Sequence, residues 1–200
     1  MSPDLLDRFL RCAIPLFVAL DPIGLLFVLG AMAERRTRSQ LRTTAVHSVL
    51  VAALVSVAFL LVAPAVLRYL GVVVSDLAVA GGLILVAFAL KDLLDPHLSA
   101  YVPEQDMGAG SGIIPLAVPL LAGPAVLTTL VLLRSQYGLG LTLGAAASVF
   151  AITLAIFLAA TQLIHLLGRS GLRILSKILS LILAAYGIMM IRRGLVDILS

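Results

Sequence analysis

Charge is what this chain lacks most. Only 12% of its 200 residues are charged and 62% are hydrophobic. A soluble domain is nearer about 25% charged and roughly 45–50% apolar. The shortage of charge excludes an ordinary soluble domain and a disordered, highly charged segment alike. There is no tryptophan, and aromatic residues make up only 6%. The lone Cys12 cannot form an intramolecular disulfide, and its plainest reading is a packed, buried thiol. Also missing are a Walker A loop, a His-Glu-x-x-His pair and a Gly-x-Ser-x-Gly elbow with partners. An enzyme is therefore not expected, and no cofactor is implied.

What is present is a series of apolar blocks, each of about twenty residues, the length that crosses roughly 30 Å of hydrocarbon. The runs are continuous and do not alternate, so they predict helices and not barrel strands. The expected partner is the lipid bilayer. Six spans are predicted: 9–33, 44–67, 72–90, 113–134, 141–167 and 174–191. A basic loop follows the first, and a polar connection over 91–112 follows the third. The net charge of +4 does not point to nucleic acid, because the basic residues cluster beside the spans. The densest cluster is Arg35, Arg36, Arg38 and Arg42, directly after the first span. The positive-inside bias then puts both termini on the outer side. Arg8 and Arg11 before an apolar stretch, with Ala31-Met32-Ala33 after it, resemble a signal peptide. Asp21, Pro22 and Gly24 interrupt that stretch, and arginines follow the supposed cleavage site, so a retained first span is expected.

Asp21-Pro22-Ile23-Gly24 falls in the middle of the first span. A carboxylate at a membrane-helix midpoint costs at least roughly 2.5–3.5 kcal/mol, and proline breaks a helix interior. Both residues suit a helix start, with Asp at N-cap and Pro at N1. The stretch predicts a helix restart at membrane depth. A second restart is predicted at Leu120-Leu121-Ala122-Gly123-Pro124-Ala125. The two halves also share collinear matches. Ile14-Pro15-Leu16 recurs as Ile114-Pro115-Leu116, and Ala45-Val46-His47-Ser48-Val49 recurs as Ala145-Ala146-Ala147-Ser148-Val149. Leu83-Ile84-Leu85-Val86-Ala87-Phe88 recurs as Leu181-Ile182-Leu183-Ala184-Ala185-Tyr186. An odd number of spans per half predicts an inverted repeat. The expected fold is an all-α membrane protein of six transmembrane helices in two inverted three-helix repeats, with helices 1 and 4 interrupted at the midplane. It forms one membrane domain over 1–200, with repeat 1 over 1–95 and repeat 2 over 112–200.

Helix N-termini carry free N–H groups and a positive dipole end. At Gly123, Pro124 and Ala125, with Thr128 and Thr129 nearby, they suit a carboxylate. The Asp21 carboxylate, supported by Pro22 and Gly24, suits an ammonium group or a cation. Together they predict a two-ended site for a zwitterion. Ser48 and Ser148 stand at matching repeat positions, where bonding across helices competes with substrate contact as an explanation. Asp76 reads as a cap at the start of the third span. Asp92, Asp95, His97, Glu104 and Asp106 form an acidic connection, but their spacing fits no metal motif and no metal site is expected.

Asp21-Pro22-Ile23-Gly24 resembles the Asn-Pro-Ile-Gly signature of span 1 in the MarC (multiple antibiotic resistance C) family. Pro115-Leu116-Ala117-Val118-Pro119-Leu120-Leu121-Ala122-Gly123-Pro124 resembles its span-4 signature, and Ser176-Lys177-Ile178 resembles the start of its span 6. The resemblance covers nearly the whole chain. It implies six spans and kinship with amino-acid exporters, some members being described as transporters of small neutral amino acids such as glycine and alanine. Two departures stand out. Asp21 replaces the usual Asn, adding a titratable charge, and Ala125 replaces the usual Gly. The expected function is a secondary transporter of a small polar solute in the inner membrane, with H+ or Na+ as candidate coupling ions and Asp21 as their carrier. A cation or metal permease and a non-transporting scaffold or regulator are the alternatives. Oligomeric state, including a homo-oligomer, is left open.

Overall fold

In a computed structural model of the chain, residues 3–26, 29, 37–94 and 121–199 are described. They form six helices: α1 (Pro3–Leu20), α2 (Arg38–Leu70), α3 (Val74–Leu94), α4 (Pro124–Tyr137), α5 (Leu139–Leu158) and α6 (Ala160–Leu199). Four segments are long and apolar enough to cross a membrane: Arg38–Leu70, Val74–Leu94, Leu139–Leu158 and Arg173–Leu199. The remaining two helices are shorter. α4 has 14 residues, about 21 Å at 1.5 Å per residue, which does not reach across a bilayer.

Helix ends follow local chemistry. Thr37 caps α2 through a capping box. Its hydroxyl accepts from the Gln40 N–H at 3.4 Å, and the Gln40 side chain accepts from the Thr37 N–H at 3.1 Å. Gly71 closes the other end at φ 72°, a left-handed conformation that costs glycine nothing. The capping box starts α2 six residues before the predicted apolar span, so its first turns are polar. Asp76 caps α3 as expected, its carboxylate accepting the Val73 N–H at 3.0 Å. Lys91–Leu94 are helical, so Asp92 ends α3 and does not belong to a loop. The predicted fifth span ran to Leu167, but the helix breaks at Ala159. The apolar run continues through that point, and neither glycine nor proline marks it. A second interruption, at Gly168 (φ 65°), divides α6. The latter part of span 1, the first half of span 4 with Pro115–Leu120, the arginines at 35 and 36, the acidic residues at 95, 104 and 106 and the histidine at 97 lie outside the described residues.

α4 sits at the centre, packed against α1, α2, α3 and α5. Accordingly it is buried on nearly every side: Ala125, Val126 and every residue from Thr128 to Leu133 are buried. A helix that is apolar all round belongs in an interior. The expected packed thiol, Cys12, lies fully within the same core.

The most extensive helix pair is α3 with α6. Glycines let it form. A Cβ on Gly82 would lie 2.5 Å from the Gly187 carbonyl oxygen, and one on Gly194 would lie 2.6 Å from that of Ser75. Small residues at these crossings let backbones approach where no hydrophobic force drives helices together in lipid. Gly82→Ala is therefore expected to lower the melting temperature in detergent, by an overpacking cost of about 1–3 kcal/mol. Gly144→Ala, with open space around it on α5, is expected to be neutral or to stabilise by up to about 1 kcal/mol of helix propensity. Thermal unfolding of the two variants in parallel checks the contrast.

Candidate functional site

The first break is built by one residue acting twice. Asp21 has φ 45°, the only positive φ outside glycine among the described residues. Aspartate and asparagine enter this region more readily than other side chains. In that conformation the Asp21 N–H donates to the Phe17 carbonyl at 3.1 Å and closes α1. Its side chain then accepts from the Gly24 N–H at 3.0 Å and opens the next turn. The Asp21 carbonyl accepts from Leu25 at 3.2 Å, completing that turn. Pro22 follows at the position where a missing N–H costs nothing, and it is buried. Gly24 is needed for space, since a Cβ there would come within 2.8 Å of the Asp21 carboxyl carbon. The N-cap role was readable from Asp-Pro. The closing role on α1 was missed, although an Asn or Asp just past a helix end is a recognised stop signal.

The second break is different in kind. Gly123 precedes α4 in an extended conformation, φ −72° and ψ 169°, and no side chain caps the helix. Pro124 is the first helical residue. The Gly123 carbonyl accepts from Leu127 at 3.1 Å. The N–H groups of Ala125 and Val126 point out of the helix start without intrahelical acceptors. Leu121, Ala122, Gly123 and Ala125 are buried around them. Thr128 and Thr129 are buried as well, but their hydroxyls donate into their own helix. Thr128 Oγ1 donates to the Pro124 carbonyl at 2.6 Å and Thr129 Oγ1 to that of Ala125 at 2.8 Å. Each keeps lone pairs for a donor, so these threonines suit an ammonium group better than a carboxylate. The Thr128 methyl packs against Gly81 of α3, where a Cβ would overlap it.

The remaining predicted residues are more dispersed. Ser48 is fully buried on α2, while Ser148 on α5 is half-exposed and donates to the Gly144 carbonyl of its own helix at 2.8 Å. The structure thus gathers Asp21, Pro22 and Gly24 in one turn, and Gly123, Pro124, Ala125, Thr128 and Thr129 at one helix start. α1 and α4, which carry the two groups, are in contact.

A third polar group was not foreseen. Ser180 and Ser176, one turn apart and both buried on α6, donate to the Asp92 carboxylate at the end of α3, Ser176 at 3.5 Å. Lys177 between them donates to the Leu93 carbonyl at 3.0 Å, using a cation to serve a helix C-terminus. The Asp92 and Asp21 carboxylates are close enough to interact electrostatically. The serine spacing of four was visible in the chain, but its partner 84 to 88 residues away was not. Among the described residues no group of three acidic, His or Cys side chains could hold a metal.

Comparison with known proteins finds membrane proteins of similar length. A UPF0056 inner membrane protein, YhgN, from Escherichia coli K12 is 29% identical over 192 residues, covering 95% of this chain and 97% of its own length. A UPF0056 membrane protein from Archaeoglobus fulgidus is 31% identical over 200 residues, with 96% and 94% covered. One from Buchnera aphidicola is 26% identical over 196 residues, with 95% and 97% covered. No solved structure matches. Residues 6–199 match the family described as MarC family integral membrane protein. With that match spanning nearly its whole length, the chain belongs to the MarC family of integral membrane proteins.

Proposed function

We propose that the protein is a secondary transporter of a small polar solute, a small neutral amino acid of the glycine or alanine kind, in the cytoplasmic membrane. The observation that carries this reading is the start of α4. At this helix start no side chain caps the N–H groups, which lack intrahelical acceptors and stand at the positive end of a dipole, with Gly123 and Ala125 buried and Pro124 exposed. Such a terminus inside a membrane protein needs an acceptor from protein, water or a bound solute. A carboxylate fits that need. The Asp21 turn on the neighbouring α1 supplies the opposite charge for an ammonium group. A site with one end for an ammonium group and another for a carboxylate rewards a zwitterion.

The same reading assigns six spans to the chain, arranged as two inverted three-helix repeats with Asp21 and Gly123 at the interruptions. Its support is the collinear sequence matches and the interruption of the backbone at both places. Placement in the cytoplasmic membrane is supported by likeness to the E. coli inner membrane protein. No catalysis is proposed. A cation permease is the second reading, favoured by one observation, the electrostatic proximity of Asp21 and Asp92.

Reconstituted vesicles separate these readings. Glycine or alanine flux that unlabelled glycine suppresses and divalent cations leave unchanged supports the amino-acid reading. Suppression by divalent cations alone supports the cation reading, and no flux of either removes transport. Asp21→Asn keeps the size, the capping oxygen and the tolerance for positive φ, so folding and solute binding are expected to survive. Accumulation driven by a pH gradient is expected to be lost, because an amide carries no proton. An Asn variant with the parent's response to pH would make Asp21 a structural cap alone.

Gly24→Ala tests the geometry of the same turn without changing its charge. The added methyl displaces the Asp21 carboxylate, at an overpacking cost of about 1–3 kcal/mol. Lower flux and a lower melting temperature are expected together. Asp21→Ala is expected to lose the cap, worth about 0.5–2 kcal/mol in soluble helices, and to strain the left-handed position as well.

A further inference from the structure

The carbonyl of Leu60 has an unusual donor. Four residues later, where the helix would supply an N–H, stands Pro64, which has none. The Arg134 guanidinium, on the last turn of α4, donates to that carbonyl instead. The bond satisfies the backbone but cancels no charge. It fixes a cation at one place and leaves other guanidinium N–H groups free to donate.

Arg134 borders a cavity of about 520 Å³ between the end of α2, the turn at Gly71, the start of α3 and the end of α4. Pro64, Leu67 and Val131 form an apolar wall, and Arg68, Arg134 and Ser135 are its polar part. Among the described residues neither arginine is in an ion pair; the one pair found is Arg11 with Asp7. The nearby Asp76 carboxylate is turned to the Val73 N–H. Two membrane-crossing segments meet here, one ending at Leu70 and the other starting at Val74. The cavity therefore opens at the level where hydrocarbon gives way to headgroups and water.

We propose that this cavity binds the phosphate-bearing headgroup of an anionic phospholipid, with the first part of an acyl chain along Pro64, Leu67 and Val131. Inorganic phosphate would use the two arginines but none of the wall. An apolar solute would use the wall and leave two charges unanswered. A phospholipid uses both, and arginine forks suit phosphate oxygens. Basic pockets between membrane helices hold anionic headgroups on the cytoplasmic side of other membrane proteins, and this recess, on the opposite side by the positive-inside reading, has the same chemistry.

The test is native mass spectrometry of the purified full chain in detergent, titrated with phosphatidylglycerol or phosphatidylcholine. Phosphatidylglycerol is expected to be retained in preference. Arg68→Gln, an exposed substitution, is expected to weaken that retention about five-fold, the worth of one basic residue at an anionic surface. Arg42→Gln, at the opposite end of α2, is expected to leave it unchanged. Val73→Trp fills the cavity from an exposed position while keeping both charges, and it is expected to weaken retention too. Equal retention of the two lipids overturns the proposal, as does equal loss from Arg42→Gln and Arg68→Gln. Displacement of phosphatidylglycerol by millimolar inorganic phosphate or glycerol phosphate would overturn it as well, marking a site for small soluble anions.

Discussion

Every backbone N–H and C=O in a lipid-embedded chain must find a partner inside the protein, and this constraint shapes the molecule more than any side-chain preference. Helices meet most of it automatically, and the informative places are those where they do not. At Pro64 the helix withholds a donor, and Arg134 reaches across to provide one. At Asp21 two helical turns abut, and a single residue supplies a donor to one and two acceptors to the other. At the end of α3 the Leu93 carbonyl is met by Lys177. Of the two described helix starts that lack a side-chain cap, those of α4 and α5, the one at α4 is the exception in being flanked by buried residues. That exception makes it the place to look for a ligand.

The same constraint explains the kind of polarity found inside. Among the described residues, the buried polar side chains are all serines and threonines. Most of those with assigned partners donate to the carbonyl four residues back, as Thr128, Thr129, Thr142 and Thr153 do. A hydroxyl can thus be carried into an apolar core at little cost, at the price of slightly loosening the helix ladder. Ser56 departs from this pattern. Its hydroxyl is buried and without a partner among the described residues. Two carboxylates that are partly buried, Asp21 and Asp92, arrive with hydrogen bonds supplied by backbone or hydroxyl donors.

Local grammar was legible in the chain to the extent that it is local. Hydropathy placed α2, α3 and α5, because length and apolar content decide what crosses a membrane. Asp-Pro and Gly-Pro marked two helix starts, because proline at the first helical position and a non-helical residue before it leave few alternatives. The break at Ala159 was not legible, since apolar character is continuous across it. Neither were the Arg134–Leu60 and Asp92–Ser180 contacts, which join residues 74 and 88 positions apart and depend on how helices pack. Arg134 read only as a charge beside a span, and Asp92 as part of a loop. Each acquires a role from a partner that no periodicity announces.

The joint between α4 and α5 bears on how the molecule is made. A single residue, Gly138, connects them, and at φ 82° it turns the chain as soon as α4 ends. α4 is too short to hold a transmembrane position alone, yet it is the helix that four others surround. Its place is held by its neighbours, three of them earlier in the chain and one, α5, directly after it. The centre of the molecule is thus a segment that comes late in the chain, and the earlier helices α1, α2 and α3 gain their common partner only once it is in place.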